Sequence, residues 1–218
     1  GVAALVRLTD GTVYVCTAPG SAVPVPENEQ IRREEFAGPH PAGTAGVHIH
    51  RLDAVDRGKL VWHVGYQDVV AMGRLFESGE LSVDRVVALT GPAQPRPRLV
   101  RTRLGAATDD LLVDDAVAGE PRVVSGSVLT GRAASGDVDG FLGRYHRQVC
   151  VITEGREREF FGWVSPGATK FSASRAFLSA LRPGHRFGFS TTTHGSVRAI
   201  VPIGLYEKVL PMDLLPTP

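Results

Sequence analysis

Lysine is scarce: Lys59, Lys170 and Lys208 are the three lysines among 24 basic residues, so the positive charge is almost all arginine. Against 23 acidic residues this leaves a formal net charge of +1, which removes any global electrostatic case for nucleic acid. Only two cysteines occur, Cys16 and Cys150, too few for an iron–sulfur cluster held by four thiolates. Both sit in apolar, strand-like stretches and read as reduced, buried cysteine. Long apolar runs are missing as well. Val69 to Met72 is representative, far short of the roughly 20 residues that cross a bilayer, and the N-terminus lacks a signal-peptide layout. No G-x-G-x-x-G follows a strand and no G-x-x-x-x-G-K-[ST] occurs, so neither phosphate-cradling loop is present. The G-x-S-x-G nucleophile elbow is missing too.

What remains is an ordinary globular composition, 43% hydrophobic and 22% charged, over 218 residues. That length leaves one-domain and two-domain organisations open. The chain opens in an apolar run at Gly1 and closes at Leu-Leu-Pro-Thr-Pro, and both ends read as cuts in a longer protein. Gly1 to Leu8 suits a helix tail, Thr12 to Cys16 a buried strand, and Pro19 to Glu29 a loop or short helix. Ile31 to Phe36, Val47 to His50 and Leu60 to Val64 read as further strands, with an irregular Gly/Pro segment from Gly38 to Gly46. Tyr66, Val69, Val70, Gly73 and Phe76 then follow one helix face, stopped at Ser78-Gly79. Strand, glycine, helix is α/β order. From Arg85 the pattern becomes ββαβ: strands at Arg85–Thr90, Leu99–Leu104 and Arg122–Gly126, with Thr108-Asp109-Asp110 capping a short helix. This is β-grasp material. Strands at Arg147–Thr153 and Phe160–Val164, an amphipathic helix over Ala173–Leu181, and a hairpin turning at His194-Gly195 complete the reading.

Four groupings are candidates for chemistry. His48 and His50, on an expected strand, would share a face, with His40 and His63 nearby. A metal needs three or four converging ligands, no third sits at diagnostic spacing, and no metal is assigned. The Trp62-His63-Val64-Gly65-Tyr66-Gln67-Asp68 junction places a glycine before a helix, where exposed backbone N–H groups can receive an anion or carbonyl oxygen. The simpler account, which we prefer, has Trp62 and Tyr66 in the core. Should a ligand site exist, it is His63, Gly65, Tyr66 and Gln67. The adjacent carboxylates Glu34-Glu35 and Asp109-Asp110 read as a solvated turn and a helix cap. Arg96, Arg98, Arg101 and Arg103 alternate along a strand without interleaved aromatics, which suits an exposed strand or a contact with another polypeptide rather than a nucleic-acid stripe.

Several stretches also carry a resemblance. Phe36-Ala-Gly-Pro-His-Pro-Ala-Gly-Thr-Ala-Gly-Val-His-Ile-His50, Val61 to Val70, Asp84 to Pro92, Pro97 to Gly105 and Arg122 to Gly131 resemble, in order, segments of the A subunit of the Na+-translocating NADH:quinone reductases. Leu142 to Tyr145, Glu154 to Glu157, Phe161 to Trp163 and Val201 to Glu207 continue the match. The family is related to the flavoprotein subunit of complex I and to the Rnf C subunit. The resemblance implies an α+β fold: residues 1–80 as the end of a Rossmann-like α/β domain, 81–140 as an SLBB (β-grasp, ubiquitin-like) domain, and 141–218 as a β-rich extension with one amphipathic helix. It also implies a peripheral, quinone-associated subunit of a respiratory sodium pump, with NADH oxidation, flavins and the iron–sulfur centre elsewhere. On that reading the isolated chain is catalytically inactive, has no catalytic residue or cofactor of its own, and meets ubiquinone only in the assembled complex. Its partners are other subunits, above all the membrane-embedded quinone-associated one, on the cytoplasmic side of the bacterial inner membrane. The family's additional N-terminal sequence and helical, cysteine-containing C-terminal domain are not in this chain. The competing readings are a stand-alone SLBB-type small-ligand module and an active flavoprotein; the missing nucleotide loops weigh against the latter.

Overall fold

Alternation of apolar and polar residues turns one side of a strand to the core, and β3 (Asp84–Thr90) follows this rule, with Arg85, Val87 and Leu89 buried between more exposed neighbours. The computed structural model describes the whole chain except residues 116, 118, 158, 163, 172–175, 193–203, 205 and 215–218. Preceding β3 are α1 (Val2–Val6), β1 (Val13–Thr17), β2 (Ile31–Glu35), α2 (Ala45–Asp53) and α3 (Tyr66–Ser78). After it come β4 (Arg98–Arg103), α4 (Thr108–Leu112), β5 (Pro121–Ser125), β6 (Arg132–Ala133), α5 (Gly136–Asp139), β7 (Gln148–Thr153) and a 3-10 helix at Leu178–Leu181. The chain divides into two units, Gly1–Ser82 with Ala199–Pro218, and Val83–Arg198.

The second unit is a mixed sheet of order β4-β3-β7-β5-β6. Its first and last long strands, β3 and β7, run parallel side by side at the centre, and an antiparallel partner flanks each. This is the expected β-grasp arrangement, and its central strand comes from residues beyond 140. Strand β7 is buried on both faces. Val149 packs with Val87, Leu89 and Leu142, backed by Val100, Val123 and the α4 residues Leu111 and Leu112. Cys150 and Ile152 point the other way and pack with Val124. At the end of β3, Gly91 has φ +111°, and a side-chain carbon there would lie 2.2 Å from the Val151 carbonyl oxygen, so only glycine lets the turn pass β7.

Two buried hydroxyls lock this unit. Thr108, expected to cap α4, is instead fully buried, its hydroxyl 3.0 Å from the carbonyl oxygens of both Ala134 and Gly140. Ala107 takes the cap position. The Ser125 hydroxyl accepts the Gly143 N–H at 2.9 Å and lies 2.8 Å from His146 Nδ1, the natural acceptor for its proton. Burial, and then the charge of Arg132, lower the His146 pKa.

The first unit holds one parallel pair, β1 beside β2, in register from Val13 with Ile31 to Thr17 with Glu35. Helix α3 ends where expected: Gly79 has φ +75° and donates to the Leu75 carbonyl at 2.8 Å. Three expectations fail in this unit. Val47–His50 belongs to helix α2, because Thr44, in extended conformation, starts a helix from Ala45 that a four-residue alternation could not distinguish from a strand. Leu60–Val64 forms no strand and makes no backbone hydrogen bond to any described residue. Trp62 and Tyr66, read as core, are 83% and 62% exposed. Among the described residues the first unit buries one apolar side chain, Val47, against nine in the second.

In the second unit Phe160–Val164 is also not a strand. The described part is turn, where Lys170 Nζ donates to the Gly162 carbonyl at 2.8 Å and to Ser165 Oγ at 2.9 Å; Trp163 lies outside the described residues. Of the expected Ala173–Leu181 helix, Leu178–Leu181 is a 3-10 helix and residues 173–175 lie outside the described residues. So does the second arm of the hairpin; in the first, Ser190 bridges Thr153.

Leu89→Ala is expected to destabilise the second unit by about 2–5 kcal/mol, while Leu99→Ala, at a position 72% exposed, should stay within about 0.5 kcal/mol; denaturant unfolding followed in this unit checks both. A folded-state pKa below the unfolded value keeps its stabilisation at high pH and loses it on acidification. The second unit should therefore weaken as pH falls below about 6.5, the ordinary histidine value, and His146→Phe should flatten that part of its stability–pH curve.

Candidate functional site

The junction flagged in the sequence is a surface feature. Gly65 precedes α3 in extended conformation (φ −69°, ψ 146°), and its carbonyl accepts the N–H groups of Asp68 at 2.9 Å and Val69 at 3.0 Å. Asp68 sits in the first turn, with Oδ2 3.5 Å from where a Gly65 side-chain carbon would lie. A carboxylate there already complements the positive helix end, which disfavours a second anion and leaves an uncharged acceptor, such as a carbonyl oxygen, the better match. His63 and Tyr66 are exposed, and Gln67 Nε2 stands 3.5 Å from the Tyr66 hydroxyl. His63, Gly65, Tyr66 and Gln67 thus share one stretch of chain beside Trp62, with His63 and Tyr66 exposed and Gly65 and Gln67 half-buried. Two accessible aromatic rings with polar groups between them can stack a planar group or anchor a protein contact.

The other histidines are not gathered there. His48 Nε2 lies 2.9 Å from the Ala42 carbonyl, and its ring meets Phe36 at 4.1 Å between centroids. His50 Nε2 accepts the Asp213 N–H at 3.3 Å. On a helix, residues two apart point roughly 200° from one another, so the shared face expected for His48 and His50 does not exist. No cluster of three His, Cys, Asp or Glu suited to a metal occurs among the described residues. Cys16 and Cys150 are free. Burial raises both thiols; Glu34 adds to the effect at Cys16, and a hydrogen bond with Thr90 partly offsets it at Cys150.

The arginines split into distinct contacts. Arg96 and Arg98 converge on Asp115, whose side chain is wholly buried: Arg96 Nε donates at 3.0 Å and Arg98 Nη1 at 2.8 Å. Gln94 Nε2 donates to the same carboxylate at 2.9 Å. Burial pushes the Asp115 carboxyl up, but the hydrogen bonds from Arg98, Gln94 and Arg96 prevail and hold it below the usual range. Arg101 pairs instead with Asp84 on the neighbouring strand. Asp115 escaped sequence reading because its partners lie 17 to 21 residues upstream and are joined to it only by the fold. This clasp ties the β3–β4 turn to the segment after α4 and is structural.

A cleft of about 560 Å³ in the first unit is lined by Ala3, Val6, Arg7, Asp10, Glu27 and Gln30 among others. It lies at the start of β1 and β2, whereas ligands of α/β sheets sit beyond the strands' carboxyl ends. Gln30 fills part of its rim by donating to the carbonyls of Thr9 and Gly11 at 2.6 Å each. No helix among the described residues is long and apolar enough to cross a membrane.

Known proteins match this chain along its whole length. The model of the NqrA second alpha/beta domain matches residues 1–81, and that of the NQRA C-terminal domain, an SLBB module, matches residues 86–136. The A subunit of Na(+)-translocating NADH-quinone reductase from Shewanella denitrificans is 54% identical over 217 residues, which cover 100% of this chain and 48% of that protein. The protein of the same name from Yersinia pestis is also 54% identical, and that from Hahella chejuensis 52%, with the same coverage. The chain spans about half the length of the curated relatives it matches. With both domain models and the full run of the sequence in agreement, the chain belongs to the NqrA family, the A subunits of Na(+)-translocating NADH-quinone reductases.

Proposed function

We propose that this chain serves a sodium-translocating NADH:quinone reductase as a non-redox part of its NqrA component, working through contacts with other subunits close to the quinone site. The observation that carries this is 54% identity along the entire chain to proteins bearing that name. The second domain is read as running from about Val83 through β7 rather than ending near residue 140, because a sheet without its centre strand would lose both clusters packed on it. The partner is the membrane-embedded, quinone-associated subunit, and the chain sits on the cytoplasmic side of the bacterial inner membrane. Flavin and iron–sulfur chemistry belong to other subunits, and ubiquinone is met only in the assembled complex.

Within that role the exposed junction is the place for quinone or subunit contact. The Gly65–Tyr66–Gln67 stretch opens α3, and N–H groups at the start of a helix can receive a quinone carbonyl oxygen. The Tyr66 ring offers the apolar body such a headgroup stacks on, with His63 and Gln67 supplying adjacent polar groups.

Two results are expected. The isolated chain, supplied with NADH and a quinone, shows no turnover and binds no flavin; turnover by the purified chain contradicts the reading. In the assembled complex, Tyr66→Ala raises the KM for quinone by about tenfold, the loss of one well-packed aromatic contact, while flavin reduction by NADH is unchanged. Quinone kinetics identical to wild type would remove Tyr66 from the site.

A further inference from the structure

We infer that the free edge of β4 in the second unit receives an extended, acidic segment of another subunit as an added strand. The inference rests on the reading that this chain works through contacts with other subunits, and it names one such contact.

Strand β4 ends the sheet, with β3 on one side and no described strand on the other. Hydrogen-bonded pairs alternate along an antiparallel ladder. The Leu104 N–H donates to the Val83 carbonyl at 2.9 Å, so in the observed register the pairs Thr102–Arg85, Val100–Val87 and Arg98–Leu89 carry the remaining bonds to β3. The N–H and C=O groups of Leu99, Arg101 and Arg103 therefore point away from the sheet. The Arg103 carbonyl is taken by the Ala106 N–H, and no described residue meets the others. Such a row is a template for one more strand. It offers donors and acceptors in alternation, which polypeptide matches, whereas a phosphate surface would use the donors alone.

Side chains set the chemistry of the partner. Leu99, Arg101 and Arg103 stand exposed on one face of β4, with Arg98, Val100 and Thr102 half-buried on the other. There Val100, like Leu111 and Leu112 of α4, packs on the core cluster. Arg96 and Arg98 share Asp115, Arg101 takes Asp84, and Arg103 has no ion pair among the described residues. Four arginines thus meet two carboxylates, and the sequence holds no acidic residue between Asp84 and Asp109. A second copy of this edge fits poorly. Paired antiparallel about Arg101, it sets Arg101 against Arg101 and Leu99 against Arg103, and like charges directly opposite destabilise a ladder. Arginines and Pro97 also keep such an edge from pairing at random; an acidic partner turns the same charges to attraction. The complementary strand carries Asp or Glu opposite Arg101 and Arg103, and apolar residues opposite Leu99 and beside Val100.

Photo-crosslinking in the assembled complex tests this. The photoreactive residue benzoylphenylalanine is placed at position Leu99 and, as a control, at Leu129, in the turn between β5 and β6 at the opposite edge of the sheet. From Leu99 the crosslink should fall on another subunit, within a segment where acidic and apolar residues alternate; from Leu129 it should not reach that segment. Arg103→Glu, which reverses the unpaired charge, should lower the Leu99 crosslink severalfold while the unfolding midpoint of the second unit stays unchanged. Arg101→Pro, which deletes an outward N–H and no bond to β3, should lower it as well. A Leu99 crosslink within the same polypeptide, to lipid, or to a segment without acidic residues overturns the inference, as does a crosslink that Arg103→Glu leaves at full yield. If the chain co-purifies with other subunits and Leu99 crosslinks to none of them, this contact alone falls; if it co-purifies with none, the functional reading falls with it.

Discussion

Everything regular in residues 83–198 hangs on β7 lying between β3 and β5. That strand pairs on both edges and buries side chains on both faces, Val149 and Val151 toward one layer and Cys150 and Ile152 toward the other. Its parallel partner β3 begins some sixty residues earlier, with strand β4, helix α4 and strand β5 between them in the chain. The smaller contacts serve that arrangement. Gly91 lets the turn pass Val151, Ser125 joins β5 to Gly143 and His146, and the Asp115 clasp fixes the turn after β3. At the far end, Glu154 receives Arg122 and Thr191, and hydrogen bonds from Thr191 and Arg122 hold its carboxyl below the usual range despite partial desolvation.

Residues 1–82 show the opposite economy. Val47 is the one fully buried apolar side chain among the described residues of this unit, and the strands and helices around it are at most half-buried.

Much of the fold was legible because the second unit obeys simple periodicities. The alternation in Arg85–Thr90 and Leu99–Leu104 and the unbroken apolar run in Val149–Ile152 mark half-buried and fully buried strands. The misreadings in the first unit share one cause. Val47–His50 is a short alternation and Leu60–Val64 a short apolar run, both next to glycine, and a four- or five-residue pattern carries no information about whether a partner strand is present. The same gap put Trp62 and Tyr66 in a core: their residue types call for burial, and only the fold reveals how little of the described chain covers them. At His63, Gly65, Tyr66 and Gln67 the start of helix α3 was legible, but the strand expected before it is missing and Tyr66 is exposed rather than core. Asp115, Ser125 and His146 were invisible, since each is defined by partners 17 or more residues away.

Burial of apolar side chains is concentrated in the β3–β7–β5 sheet and scarce among the described residues of the first unit. Native-state amide hydrogen exchange measures the consequence for local stability directly. Amides of β3, β5 and β7 should exchange only through global opening of the second unit, while those of β1, β2 and α3 exchange orders of magnitude faster. Protection of β1, β2 and α3 equal to that of β7 would contradict the account.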